Sequence, residues 1–302
     1  MLDQIQRWVK EPPPEYLFEI SERGLAFVQP RNPSSLRVSP LSEKALAVSP
    51  SEPNIIRVDV FQNAFPKNGN GGGPRRAKAG LVIPDYAARV SVLDFDELPA
   101  DEEQRLALVR FRLKKGVPFS IDDAQVSYSI QPANPQRKKL EVLAAAIARP
   151  VLNEYETLLR NFGYQVGLVV PSSLAAMPLY PALPGAVTLV AKISGNIFSI
   201  ILLENRQIRV FRCVDLSSEE SLPEEQPELM STLLQQTLAF AEDEWNQPVQ
   251  HLVLCGFGAQ TDEIGLAFER EFGVSWAPLR SRFGVPLQEN AGLFGMLEQY
   301  AA

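Results

Sequence analysis

"YLFEISERGLAFVQP", Tyr16 to Pro30, alternates apolar and polar residues on both sides of a break at Ser21-Glu22-Arg23-Gly24. That is the pattern of two short strands joined by a tight turn. Such a turn can hold a phosphate when glycine and other small residues let backbone N–H groups approach it closely. Here Ser21 and Glu22 occupy the turn, so the frame is kept and the small residues are missing. The second half of the chain opens in a similar way. "VTLVAKIS", "IFSIILLE" and "QIRVFRCV" are three strands with turns at Gly195-Asn196 and Asn205-Arg206.

Between these two openings the chain alternates strands and helices. From Tyr16 to about Phe65 it reads as a meander, "YLFEIS", "GLAFVQ", "LRVS", "ALAVSP" and "NIIRVDVF", with no helix among them. "PKNGNGGGPRR", Pro66 to Arg76, has loop composition; no Lys-Ser/Thr follows its glycines and no helix opens there, which argues against a phosphate loop. "ADEEQRLALVRFRLKKGVPF" carries a complete set of helix signals: Asp101 as N-cap, acids in the first turn, Arg112, Lys114 and Lys115 near the end, and Gly116 as stop. "DDAQVSYSIQ" and "KLEVLAAAIA" read as strands. The second is rich enough in alanine for a helix, but Pro150 fits better in the first turn of a separate helix, "RPVLNEYETLLRNFG". "YQVGLVVPSSLAAMPLYPA" reads as a strand and a short helix. After the second hairpin come a helix from about Glu228 to Trp245, a buried strand "HLVLCG", a helix near Asp262 to Phe272 and a last helix "ENAGLFGMLEQY". The halves are variants of one plan, two α/β lobes in which helices flank a hairpin-built sheet.

Composition narrows the function classes. With 302 residues, 45% of them hydrophobic and 22% charged, the chain can bury the core of two lobes or of one large domain. A net charge of -7 and a pI near 5.0 remove the broad attraction on which nucleic-acid binders depend. The basic clusters "PRRAK", "RFRLKK" and "QRKK" are short and read as solvated faces. Cys213 and Cys255 are the only cysteines, too few for a disulfide framework or a cysteine metal site, which fits a reducing cytoplasm. Residues 1 to 14 read as a short amphipathic arm, with Ile5, Trp8 and Val9 on one face, and lack the apolar core of a signal peptide. No stretch approaches the ~20 apolar residues of a membrane span. A membrane role is expected only through a partner.

The collinear series "LVIPDYAARVSVLDFDELP", "EEQRLALVRFRLKKGVPFSIDDAQVSYSIQ" and "LEVLAAAIARPVLNEYETLLRNFGYQVGLVVPSSLA" resembles the PilM family of pilus-assembly proteins. These are actin-like relatives of the division protein FtsA and of the cytoplasmic part of the type II secretion protein GspL. The resemblance runs from about Tyr16 to Tyr300. It implies an actin-like α/β fold of two lobes on RNase H-like sheets, with a small inserted α+β subdomain; this chain departs from the family in a shortened second lobe, where only Asp215 to Met230 lies between the hairpin and the next helix. The boundaries it suggests are an arm at 1–15, a first lobe at 16–78 and 136–184, the insertion at 79–135 and the second lobe at 185–302.

The resemblance also implies a nucleotide cleft fed by three loops, and this chain departs from the family in each. Where the family has Asp-Ile-Gly-Ser, "EISE" (Glu19 to Glu22) stands; where it has Asp-Ile-Gly-Ala, "KISG" (Lys192 to Gly195); where it has a triple glycine, "CGFGA" (Cys255 to Ala259). The candidate cleft residues are therefore Glu19, Ser21, Lys192, Ser194, Gly195, Gly256 and Gly258. Glu22 would aim a carboxylate at a triphosphate. Lys192 replaces the carboxylate that would order the water shell of Mg²⁺, a cation that wants oxygen ligands. Lys192 could instead bind a phosphate directly, or pair with Glu19 across the cleft, the plainer outcome. No cofactor is expected, and ATP with Mg is disfavoured. Asp215, Glu219 and Glu220, in the stretch where the family carries a nucleotide-facing segment, read as a solvated acidic loop.

Two functions compete. One is a non-catalytic cytoplasmic scaffold of type IV pilus or secretion machinery, docking the short cytoplasmic segment of a PilN-like bitopic inner-membrane partner between the first lobe and the insertion. The other is an ATPase or phosphotransferase of the same fold, for which Asp85, Asp94, Asp96 and Glu19 are the available carboxylates. Self-association is a further expectation from filament-forming relatives. His251, the sole histidine, and Cys255 lack the partners that a base or nucleophile needs.

Overall fold

The computed structural model describes residues 13–42, 44–66, 76–132, 139–217, 226–245 and 247–300. The first hairpin forms as expected. Strands β1 (Tyr16–Ile20) and β2 (Gly24–Gln29) pair antiparallel, Glu19 opposite Ala26, and β3 (Asn32–Pro40) adds beyond β2. The meander then stops short of expectation. "ALAVSP" and "NIIRVDVF" contribute one isolated bridge, Leu46 to Ile55, and a single helical turn, α1 (Val58–Phe61). Side chains satisfy this backbone where a partner strand was expected. The buried Asn54 amide donates to the carbonyls of Ser49 and Glu52 at 2.8 Å each, and Glu154 accepts from the N–H groups of Asn54 and Ile55.

Strand β4 (Ala77–Ile83) returns to pair in parallel with β1. The chain then leaves the sheet for β5 (Arg89–Phe95), α2 (Glu102–Leu113), β6 (Ala124–Ile130) and β7 (Leu140–Ala148). These strands form a separate antiparallel sheet, ordered β5-β7-β6. Helix α2 starts where its signals put it, the Asp101 carboxylate accepting from Gln104 N–H at 2.9 Å, and buries Val109 and Leu113 beneath the small sheet. The alanine-rich segment is strand β7. Helix α3 (Arg149–Asn161) follows it directly, with Pro150 in its first turn. It returns the chain to β8 (Tyr164–Pro171), which pairs in parallel with β4, and to the short helix α4 (Ser172–Ala175). Pairing thus groups β4 with the first sheet and β7 with the small one, whereas the sequence boundaries at 79 and 135 divided them the other way.

The second lobe repeats the first. Strands β9 (Val187–Ser194), β10 (Ile197–Glu204) and β11 (Gln207–Asp215) form the meander. Helix α5 (Gln226–Trp245), strand β12 (Val249–Cys255), helix α6 (Thr261–Phe272) and strand β13 (Ser275–Pro278) follow. The sheet orders are β3-β2-β1-β4-β8 and β11-β10-β9-β12-β13, so three antiparallel strands followed by two parallel ones occur twice. Strand β13, only four residues long, has no alternating run for a sequence reading to find. The last helix, α7 (Ala291–Tyr300), packs on the first lobe through Leu293, Met296 and Leu297 against Leu17, Val28 and Val82. Gly295 makes this contact possible, because a Cβ there would land inside the backbone of Ala175.

Among the described residues no helix is long and apolar enough to cross a membrane. The N-terminal arm before Pro13, the glycine-rich loop at 67–75, the basic cluster at 136–138 and the acidic segment at 218–225, which holds Glu219 and Glu220, lie outside the described residues.

Candidate functional site

The turns beyond β1 and β9 meet, the Glu22 side chain of the first reaching Asn196 and Gly195 of the second. In the first turn Ser21 closes on Gly24: its N–H donates to Gly24 O at 2.9 Å, and its hydroxyl accepts from Gly24 N–H at 3.1 Å. The second turn pivots on Gly195, at φ 60°. The two N–H groups of this turn both have side-chain acceptors. Asn196 N–H donates to the Glu22 carboxylate at 2.7 Å, and Gly195 N–H donates to the Gln288 amide oxygen at 3.0 Å. Ser194 donates from its hydroxyl to Gln288 O at 2.6 Å. A carboxylate from the first lobe therefore sits where a small, N–H-lined turn would receive an anion. Burial pushes the Glu22 carboxyl above its usual range, with Asp215 adding to the rise and the Asn196 hydrogen bond opposing it.

Beneath the turns lies a buried polar chamber. Glu19 and Lys192 are each 1% exposed. The expectation that they pair with each other is corrected by the geometry: the Lys192 ammonium is 3.1 Å from Asp85. Asp85 also accepts from Ser173 N–H at 2.7 Å, from the Ser173 hydroxyl at 2.5 Å and from the Ser199 hydroxyl at 2.9 Å. Glu19 accepts from the Ser172 hydroxyl at 2.5 Å and from Gly292 and Leu293 N–H, at 3.3 and 2.8 Å, in the first turn of α7. Topology assembles these groups. Parallel β4 and β8 end level with each other, Ile83 beside Pro171, which brings Asp85 next to Ser172 and Ser173. Burial alone would lower the Lys192 pKa; Asp85 first, then Cys255 and Glu19, outweigh it, and the ammonium is held above its ordinary value. Glu19 is pushed up by burial, against the pull of Lys192 and its hydrogen bonds. Cys255, beside Lys192, is pushed up by burial to about 12, the state of an inert thiol.

The third loop also lies in the cleft. Gly256 is at φ 88°, and a Cβ there would collide with the carbonyl of Ile193, so glycine is required where the loop crosses β9. Gly258, at φ 58°, opens the turn into α6 with no atom near its Cβ position. Phe257 between them is buried in the second-lobe core. A cavity of about 490 Å³ adjoins the loop, walled by Met230, Phe257, Ile264 and Phe268 and bounded by Asn196 and Gln288. The seven sequence candidates thus fall on the three loops and chamber of one cleft. Asp85, Ser172, Ser173, Ser199, Glu22 and Gln288 complete it. Among the described residues no group of three or more His, Cys, Asp or Glu side chains could hold a metal ion.

A second candidate site lies along the edge of the first-lobe sheet. Strand β8 ends its sheet, so one edge of its backbone has no partner strand among the described residues. Alongside it runs a groove of about 440 Å³, walled by Gln125, Ser127 and Ala145 of the small sheet and by Val166, Gly167 and Leu168 of β8. Leu168 is 40% exposed.

Neither a protein-family model nor a curated protein sequence matches the chain. Solved structures do. A chain of a PilM-PilN type IV pilus biogenesis complex matches with a TM-score of 0.69 and 15% identity, over 96% of this chain and 98% of that one. A Bacteroides thetaiotaomicron protein described as having an actin-like ATPase fold and unknown function matches with a TM-score of 0.54 and 13% identity, over 96% of this chain and 97% of that one. The fold is actin-like. At these identities the likeness establishes architecture alone, and function has to be argued from the sites. The match over nearly the full length agrees with the resemblance read from the sequence.

Proposed function

We propose that this actin-like chain is a non-catalytic scaffold of type IV pilus or secretion machinery. It works at the cytoplasmic face of the inner membrane and takes the cytoplasmic segment of a PilN-like bitopic partner. One observation carries the non-catalytic part: the Glu22 carboxylate occupies the Asn196 N–H at 2.7 Å. A triphosphate at this turn would have to displace a charge-assisted hydrogen bond and then face the displaced carboxylate. Lys192 offers no compensation, because drawing it to a phosphate would leave Asp85 buried without its cation.

The docking part draws on the free edge of β8. An extended peptide can add to such an edge through backbone hydrogen bonds while its side chains enter the adjoining groove. The PilM-PilN complex, which shares the fold, motivates the choice of partner. Calorimetric titration with ATP and Mg²⁺ is expected to give no heat of binding. A synthetic peptide of the PilN-like cytoplasmic segment from the same genome is expected to bind at micromolar strength by fluorescence anisotropy, and Gly167→Trp in the groove to abolish that binding. Tight magnesium-dependent ATP binding overturns the scaffold reading; peptide binding that survives Gly167→Trp overturns the groove. Self-association is read in the same samples by light scattering.

A second reading, an ATP-binding protein, draws on the cavity beside Phe257, whose apolar walls could pack a flat heterocycle. The same titration decides it.

A further inference from the structure

The small sheet enters the chain between β4 and β8, yet its firmest polar contacts are with the second lobe. Gln131, just past β6, grips β11 by the backbone: its amide nitrogen donates to Ile208 O at 2.8 Å and its amide oxygen accepts from Ile208 N–H at 3.0 Å. Gln207 returns the contact, donating to Pro132 O at 3.0 Å. Beside them Arg209 lies buried between two carboxylates, Glu141 of β7 and Glu204 of β10. Val92 and Leu143 of the small sheet also pack among Ile201, Ile208 and Phe211. The other ends of β6 and β7 carry Gln125, Ser127 and Ala145, a wall of the β8 groove. The same two strands thus line the groove at one end and hold the second lobe at the other.

An apolar contact can slide by small steps. A two-point amide grip and a buried ion triad cannot, because partial separation strands buried polar groups. Widening the groove therefore either breaks the grip or carries the second lobe with the small sheet. We propose that the small sheet is a strap that couples the width of the β8 groove to closure of the two lobes, so that an occupant of the groove parts the chamber around Cys255. This rests on the reading of the β8 groove as a docking site.

Cys213 and Cys255 are the only thiols and both border the interlobe region, so no label has to be introduced. In the closed chain Cys255 is buried and its thiolate disfavoured, so maleimide modification, followed by mass spectrometry of the cysteine peptides, is slow. Gly167→Trp supplies a tethered occupant, since the Cβ position of Gly167 is open. It is expected to speed Cys255 modification roughly 3- to 30-fold, the range that such couplings carry. Ser127→Trp, from the opposite wall, should do the same, with circular dichroism and thermal melting showing that both variants are folded. Cutting the strap with Gln131→Ala, Gln207→Ala and Glu141→Ala together, which leaves Arg209 paired with Glu204, should make the rate insensitive to either tryptophan. An unchanged rate in both folded tryptophan variants overturns the coupling, and so does an acceleration that survives the cut strap. Peptide affinity, measured separately by anisotropy, reports on the groove reading alone.

Discussion

The ends of β1 and β9 occupy equivalent places in the two sheets and share a central Ile-Ser pair, in Glu19-Ile20-Ser21-Glu22 and Lys192-Ile193-Ser194-Gly195. Their first residues are equally buried and opposite in charge, yet they are neutralised by different means. Lys192 has a full counter-charge, Asp85 from the other lobe, whose remaining acceptor capacity is filled by Ser173 and Ser199. Glu19 is hydrogen-bonded by neutral donors, a serine hydroxyl and the first N–H groups of α7. One strand end supplies an ion lock between lobes, and the other anchors a helix. Repetition of a backbone plan therefore does not transfer the electrostatic role of a position.

The largest effect expected from that difference is an asymmetry between two substitutions. Lys192→Met leaves Asp85 buried with no cation and should cost about 3–5 kcal/mol. Glu19→Gln keeps one acceptor oxygen for the Ser172 hydroxyl and Gly292 N–H, turns its amide NH2 toward the Leu293 N–H, and should cost about 1–2 kcal/mol. Urea unfolding of the two variants compares them directly. Equal losses would mean that Glu19 and Lys192 share one ion pair, as the sequence suggested.

How much of this was legible follows from how local each signal is. The hairpins, the Asp101 cap and the Pro150 helix start depend on residues within one turn or strand, and all were readable; the three loops came only through the family resemblance. Strand β7 was readable because Pro150 claimed the following helix. The partner of Lys192 was not. Asp85 lies 107 positions away in sequence and reads as a residue in a Pro-Asp turn; only the parallel pairing of β4 with β8 brings it to Ser173. Gln288 was invisible for the same reason, its contact to Gly195 spanning 93 positions. The overextended meander failed differently. "ALAVSP" and "NIIRVDVF" have strand composition, but Asn54 and Glu154 took up their backbone groups first.

The turn glycines sharpen the comparison. At Gly24 the constraint is close approach, because a Cβ would lie 2.9 Å from the carbonyl of Ser39 on β3. At Gly195 there are two constraints, the left-handed φ and the Glu22 side chain, which a Cβ would strike. Gly195→Ala should therefore destabilise the chain by about 1–3 kcal/mol. Glu22→Ala should recover part of that loss, because it removes the collision and leaves the φ strain. A thermodynamic cycle over the two substitutions measures the recovered part. Strict additivity would show that Glu22 does not press on the turn, and would weaken the argument that it fills the anion position.

The smallest effect is in pH, and it separates the two strand ends again. The Glu19 pKa is raised above 4.5 by burial, and that of Lys192 is raised above 10.5 because Asp85, Cys255 and Glu19 outweigh burial. A group whose pKa is raised on folding contributes stability below its unfolded pKa and loses it as pH rises through the folded value. The Lys192 contribution is therefore intact at neutral pH and lost only above 10.5, while that of Glu19 declines from 4.5 upward. The stability of the wild type relative to Glu19→Gln should accordingly be greater near about pH 5 than near about pH 8. Urea unfolding at the two values reads this difference with the titration of all other groups cancelled. A difference of the opposite sign would make Glu19 a carboxylate of lowered pKa, held ionised by Lys192, and the ion lock would then belong to both strand ends.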